Sequence, residues 1–186
     1  MSDKLTAIFD ATLTLISERG FHNTPMSLIA KTSGVSTGTI YHYFASKEEL
    51  INELYRKVKI KAIRAMLAGY SEDLSFRERF LRVWFNVVHY LPRHPTEGAF
   101  LEQFENSPYL KPSLQEAYLD EIGCLFSFFE QGIQEGVFKD LPLDVLFDLA
   151  FQVAISLAKR QIAGAIVLDD ELMQATADAC WDAIRK

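Results

Sequence analysis

The sequence predicts an all-α protein, an N-terminal three-helix helix-turn-helix domain followed by a C-terminal helical bundle. Three observations carry that expectation. Apolar residues recur at three- and four-residue steps through most of the chain, no stretch alternates as a strand does, and Ser, Thr and Asp stand where helices start while Gly and Pro stand where they stop. With 186 residues, 49% of them hydrophobic and 24% charged, the chain is too apolar for disorder and long enough to bury a core. No run approaches the ~20 apolar residues of a membrane span, and Met1-Ser2-Asp3-Lys4 leads into an amphipathic stretch rather than a secretory signal. Cys124 and Cys180 form no CxxC pair and read as buried free thiols. A cytoplasmic protein with no membrane partner follows.

Each element has its own signals. Leu5, Ile8, Phe9, Leu13 and Ile16 make one face of a helix from Lys4 to Arg19, and Gly20 stops it. Thr24-Pro25 starts a second helix, Thr as N-cap and Pro at the first position, which Ser33-Gly34 breaks. Ser36 caps a third short helix through Tyr43. Ser46 and Glu49 form a capping box that opens a long fourth helix with Leu50, Leu54, Val58 and Ala62 on one face. Ser75 and Glu78 form another, ahead of Phe80, Val83, Trp84, Val87 and Leu91, and Pro92 and Pro95 close that helix. Thr96–Glu105 fits a short helix. Longer ones follow over Pro112–Glu135, from Pro142 to about Gly164, and from an Asp169 cap to Ile184.

The two short helices between Thr24 and Phe44 are too small to bury much against each other. They need the first helix and the start of the fourth, with Ile29, Ala30, Val35, Ile40 and Phe44 turned inward and Gly34 in a turn that favours positive φ. That is helix-turn-helix geometry, whose second helix enters a DNA major groove. Charge supports the same end. Net charge is −6, yet residues 1–64 carry +3 and residues 65–186 carry −9, and no acid lies between Arg19 and Lys47.

The run TPMSLIAKTSGVSTGTIYHYFASKEEL, Thr24 to Leu50, resembles the DNA-binding signature of the TetR family of bacterial transcriptional regulators. The signature covers residues 1 to about 60, and the remainder fits by length and helical order. The resemblance implies a DNA-binding domain over 1–46 and an effector-binding and dimerisation domain over 47–186. It also implies double-stranded DNA as partner and a recognition helix at Thr37–Tyr43. Gly38 then permits close backbone approach, while Thr37 and Thr39 offer a hydroxyl to phosphate or a methyl to thymine. Tyr41, His42 and Tyr43 stand at the groove wall, Lys47 contacts phosphate at a helix start, and Thr24 and Ser36 cap helices within reach of phosphate. Thr37 occupies a position where many relatives carry lysine, so fewer ionic contacts per half-site and a shallower salt dependence are expected.

Residues 65–186 hold 17 of the 23 aromatics. By resemblance this region binds a small hydrophobic effector. Trp84, Val88, Phe100, Phe104, Tyr118, Ile122 and Phe126 are the candidate walls, and His89, Glu105 and Gln152 the polar anchors. Glu102 and Glu105 beside aromatics suit a cationic lipophilic ligand. The alanine-rich last two helices invite a second copy, giving a homodimer that reads a palindrome with half-sites roughly 34–36 Å apart. Nothing suggests an enzyme, metal or cofactor: His89 and His94 are five apart, no serine sits in a nucleophile elbow, and neither cysteine has an activating neighbour. The expected function is a repressor released from its operator by an apolar effector. The alternative is an architectural, protein-recruiting DNA-binding dimer without a small-molecule effector.

Overall fold

The computed structural model describes residues 3–110 and 119–186, and among these every regular element is helical apart from an isolated bridge between Phe138 and Arg185. The helices are α1 (Asp3–Arg19), α2 (Met26–Ser33), α3 (Thr37–Tyr43), α4 (Lys47–Met66), α5 (Phe76–Arg93), α6 (Pro95–Glu105), α7 (Leu119–Gln134), α8 (Leu143–Phe147), α9 (Val153–Ile162) and α10 (Asp170–Ile184). A π-helical turn, Asp148–Gln152, runs between α8 and α9 without interruption. Two compact units result, residues 3–60 with 96–110 and residues 61–95 with 119–186.

Capping chemistry accounts for most boundaries. Gly20, Gly34, Gly136 and Gly164 each follow a helix with φ between 68° and 75°, the left-handed value that L side chains resist. The Ser36 hydroxyl accepts from the Thr39 amide, and Asp169 accepts from Leu172. Ser75 and Glu78 form the expected reciprocal box, whose hydrogen bonds hold the Glu78 carboxyl below the usual glutamate range. At α4 the box is shifted: Ser46 accepts from Glu49, but Glu49 reaches back to the Ala45 amide.

Two boundaries differ from expectation. The N-cap of α2 is Pro25 rather than Thr24, because the Thr24 hydroxyl is spent on the Gly20 carbonyl, 2.9 Å away. Pro92 does not end α5. It sits inside the last turn, and the chain leaves the helix at His94, whose amide bonds back to Tyr90 and Leu91. Pro92 has no N–H for the Val88 carbonyl four residues back, and the helix ends one residue after it.

The core of the first unit gathers Ile8, Ile16, Ile29, Ile40, Phe44, Leu50 and Leu54. It also takes in Phe100 and Phe104 of α6. Phe21 meets both rings and Tyr109, and Tyr55 stacks on Phe104 with centroids 4.0 Å apart and planes 12° apart. Such a pair adds about 0.5–1.5 kcal/mol beyond area burial. Polar ties reinforce the placement: Ser17 donates to the Thr96 carbonyl, Gln103 donates to the Ser17 carbonyl, and Lys59 pairs with Glu105 at 2.6 Å. The helix-turn-helix unit therefore extends well beyond residue 46.

The second unit packs Phe80, Trp84, Phe128, Phe129, Phe138, Phe151 and Trp181 around α5. Gly132 lets α7 approach closely, since a Cβ there would lie 2.1 Å from the Phe138 ring. The Gly132 carbonyl accepts from the amides of Val137 and Phe138, and Lys139 donates to the last carbonyls of α10. These bonds tie the turn after α7 to the end of the chain.

Candidate nucleic-acid interface

The recognition surface is built from α3 and its flanking turns. Ile40 and Phe44 anchor α3 inward, Phe44 against Phe9 at 5.6 Å, and the opposite side faces solvent. On that side Tyr41 is 50% and Tyr43 39% exposed, and Gly38 and His42 are exposed as well. Tyr43 lies edge-on to His42 and also meets Phe44. Thr37 and Thr39 are half-exposed, and the Thr39 hydroxyl hydrogen-bonds that of Ser36 at 2.8 Å. Nothing lies within 4 Å of where a Gly38 Cβ would stand, so this glycine leaves open space outside the helix. From Thr32 to Ser46 the chain carries no Lys, Arg, Asp or Glu.

Two sequence-predicted contacts are placed differently. Thr24 is fully buried, bonded to Gly20, and does not reach a phosphate; it serves the α1–α2 turn instead. Lys47 is half-buried, its ammonium donating to the Phe21 carbonyl, and burial lowers its pKa. That bond ties the start of α4 to the turn after α1 and leaves two ammonium donors for other partners.

The predicted effector residues do not converge. Phe100 and Phe104 belong to the core of the first unit, because their shared face of α6 packs on Phe21 and Tyr55. Glu105 is occupied by Lys59, which removes it as an anchor for a cationic ligand. In the second unit Trp84 and Val88 are fully packed and Ile122 half-buried, whereas His89, Phe126 and Gln152 are exposed. Tyr118 lies outside the described residues. A groove of about 280 Å³ is present on α5, lined by Glu78, Leu81, Arg82, Phe85 and Asn86, none of them predicted.

Comparison with known proteins gives this arrangement a family. Residues 8–54 match bacterial regulatory proteins of the tetR family, and residues 75–185 match the tetracyclin repressor-like C-terminal domain. The chain belongs to the TetR family. An HTH-type transcriptional regulator of Haemophilus influenzae is 28% identical over 186 residues, covering all of this chain and 97% of that protein. The fatty acid metabolism regulator protein of Bacillus subtilis is 28% identical over 88% of this chain and 79% of its own length. The crystal structure of a TetR-family regulator from Marinobacter aquaeolei superposes with a TM-score of 0.91 at 27% identity, covering 98% of this chain and 96% of that one. These proteins are transcriptional regulators, not enzymes, and DNA binding through the helix-turn-helix is the shared activity. Among the described residues no helix is long and apolar enough to cross a membrane.

Sequence reasoning missed Phe21, Tyr55 and Arg79. Arg79 had a readable signal: it stands three residues after Phe76 and four before Val83, on the apolar stripe of α5.

Proposed function

We propose that this TetR-family protein is a dimeric repressor that reads a palindromic operator with α3 and lets go of it when a small apolar effector occupies its second unit. The observation that carries the reading is the solvent-facing side of α3, where Thr37, Gly38, Thr39, Tyr41, His42 and Tyr43 offer hydroxyls, methyls and ring edges with no carboxylate to repel phosphate. Lys47 and the first amides of α4 supply the phosphate contact.

Pairing is supported by the last helices. Val145, Leu149 and Val153 are exposed at four-residue steps through α8, the π turn and α9, and Leu172 is exposed on α10. Four-residue steps drift around an α-helix, and the wider π turn offsets that drift, keeping the three side chains in line. An apolar line of this kind suits a two-fold partner. The effector reading is supported by the Phe-rich second unit and by the likeness to the fatty acid metabolism regulator protein of Bacillus subtilis. The architectural alternative draws on one observation, the complete burial of Trp84 and Val88.

Two variants test the proposal. Lys47→Ala is expected to weaken operator binding about tenfold with a smaller salt slope, and unchanged affinity would refute the docking mode. Leu149→Asp with Val153→Asp is expected to give monomers by sedimentation that no longer bind a palindrome tightly. A dimer that persists would place the pairing surface elsewhere.

A further inference from the structure

A buried cation in the second unit has no anion to match it. Arg79 is only 5% exposed, and its guanidinium packs against a pair of touching rings, 4.3 Å from the Phe76 centroid and 5.3 Å from that of Phe128. One edge reaches the Gln131 side-chain oxygen at a long 3.5 Å, and the Nε–H finds no acceptor. The Tyr70 hydroxyl donates to the Cys124 carbonyl at 3.4 Å and accepts from Arg79, whose hydrogen bond and charge oppose the rise that burial gives the Tyr70 pKa. A second guanidinium stands one turn along the same helix. Arg82 is exposed, with a terminal nitrogen 3.0 Å from where a Gly69 Cβ would stand. Neither arginine has a carboxylate at ion-pair distance among the described residues; Glu78, which borders the same groove as Arg82 and feels its charge, is bonded to Ser75. Burying a cation without a counter-charge is penalised by the loss of its hydration.

We infer that Arg79, Arg82 and the Gly69–Tyr70 turn form a binding site for the carboxylate of an aliphatic acid, whose chain lies along the neighbouring groove over Leu81 and Phe85. A carboxylate supplies the acceptor that the Arg79 Nε–H lacks, and it can take two parallel hydrogen bonds from one guanidinium. Gln131, which accepts from Arg79 at a long 3.5 Å, is exposed and donates to Glu135 at 2.8 Å. The groove volume of about 280 Å³ suits a medium-length chain. The site deepens the effector reading and rests on it for its consequence, but it reverses the ligand charge that Glu102 and Glu105 suggest in the sequence.

The test is calorimetric binding of decanoate and of 1-decanol, both below their aggregation limits, to the full-length protein without DNA. Decanoate is expected to saturate one site per chain at least tenfold more tightly than the alcohol. Arg79→Met should erase that preference, and the exposed Arg82→Gln should reduce it several-fold, which keeps the question decidable if the buried variant does not fold. Equal affinities, no saturable decanoate binding to the wild type, or a preference that survives in Arg82→Gln and in any folded Arg79→Met would each overturn the site. Competition by inorganic phosphate at matched ionic strength would overturn the assignment to an aliphatic acid. Operator release by 1-decanol with no preference for the acid would preserve the effector reading and remove this site alone.

Discussion

The two units of this chain solve opposite problems with the same helices. The first keeps its core ordinary and turns its chemistry outward. The short helices α2 and α3 and the start of α4 are fixed by Gly34, Ser36 and the Lys47–Phe21 bond so that α3 can present hydroxyls and rings to solvent. The second turns chemistry inward, burying Arg79 among phenylalanines, and leaves an apolar line of Val145, Leu149 and Val153 outside. Outward chemistry is written in local motifs; inward chemistry depends on which helices meet.

The largest expected effect crosses the boundary that sequence order suggests. Phe104 lies far along the chain yet fills the core of the first unit, so Phe104→Ala should lower stability by about 3–5 kcal/mol in urea unfolding and weaken operator binding with it. A variant with full operator affinity and reduced effector binding would instead return Phe104 to the second unit. Glycine substitutions sharpen the comparison. Gly132→Ala places a Cβ 2.1 Å from the fully buried Phe138 ring and should cost about 1–3 kcal/mol. Gly38→Ala meets open space and should stabilise the fold by about 0.5–1 kcal/mol while weakening DNA binding. One exchange thus has opposite effects on stability in the two units, and a destabilised Gly38→Ala would break the contrast.

The smallest effect concerns pH. Glu78 is held below its ordinary value by Ser75, so its contribution is present above that ordinary value, about 4.3, and is lost as pH falls through the lower folded value. The difference in melting temperature between wild type and Glu78→Gln should therefore shrink between pH 7 and pH 3. A constant difference would show that the carboxylate form does not support the cap.

The legible parts of the molecule are those decided by neighbours in sequence. Gly34 needs positive φ for reasons contained in one turn, and Ser36, Ser75 and Asp169 cap helices that begin next to them. Thr24 shows the limit even there, because a carbonyl four residues back took the hydroxyl that a cap would have used. The effector candidates were less legible for a tertiary reason: Phe100 and Phe104 show an apolar face, but not whether Phe21 and Tyr55 or the α5 cluster will cover it. The π turn left no signal, since Asp148–Gln152 reads as ordinary helix. Arg79 did leave one, a charge in phase with an apolar stripe.

The central claim is sequence-specific recognition by a surface poor in permanent cations. Fluorescence anisotropy with DNA from upstream of the protein's own gene, against scrambled DNA, at two salt concentrations, tests it most directly. The account predicts a preference for the upstream DNA that persists at the higher salt, with a shallow salt slope because residues 32–46 supply no lysine or arginine. Equal, steeply salt-sensitive binding to both DNAs would contradict it.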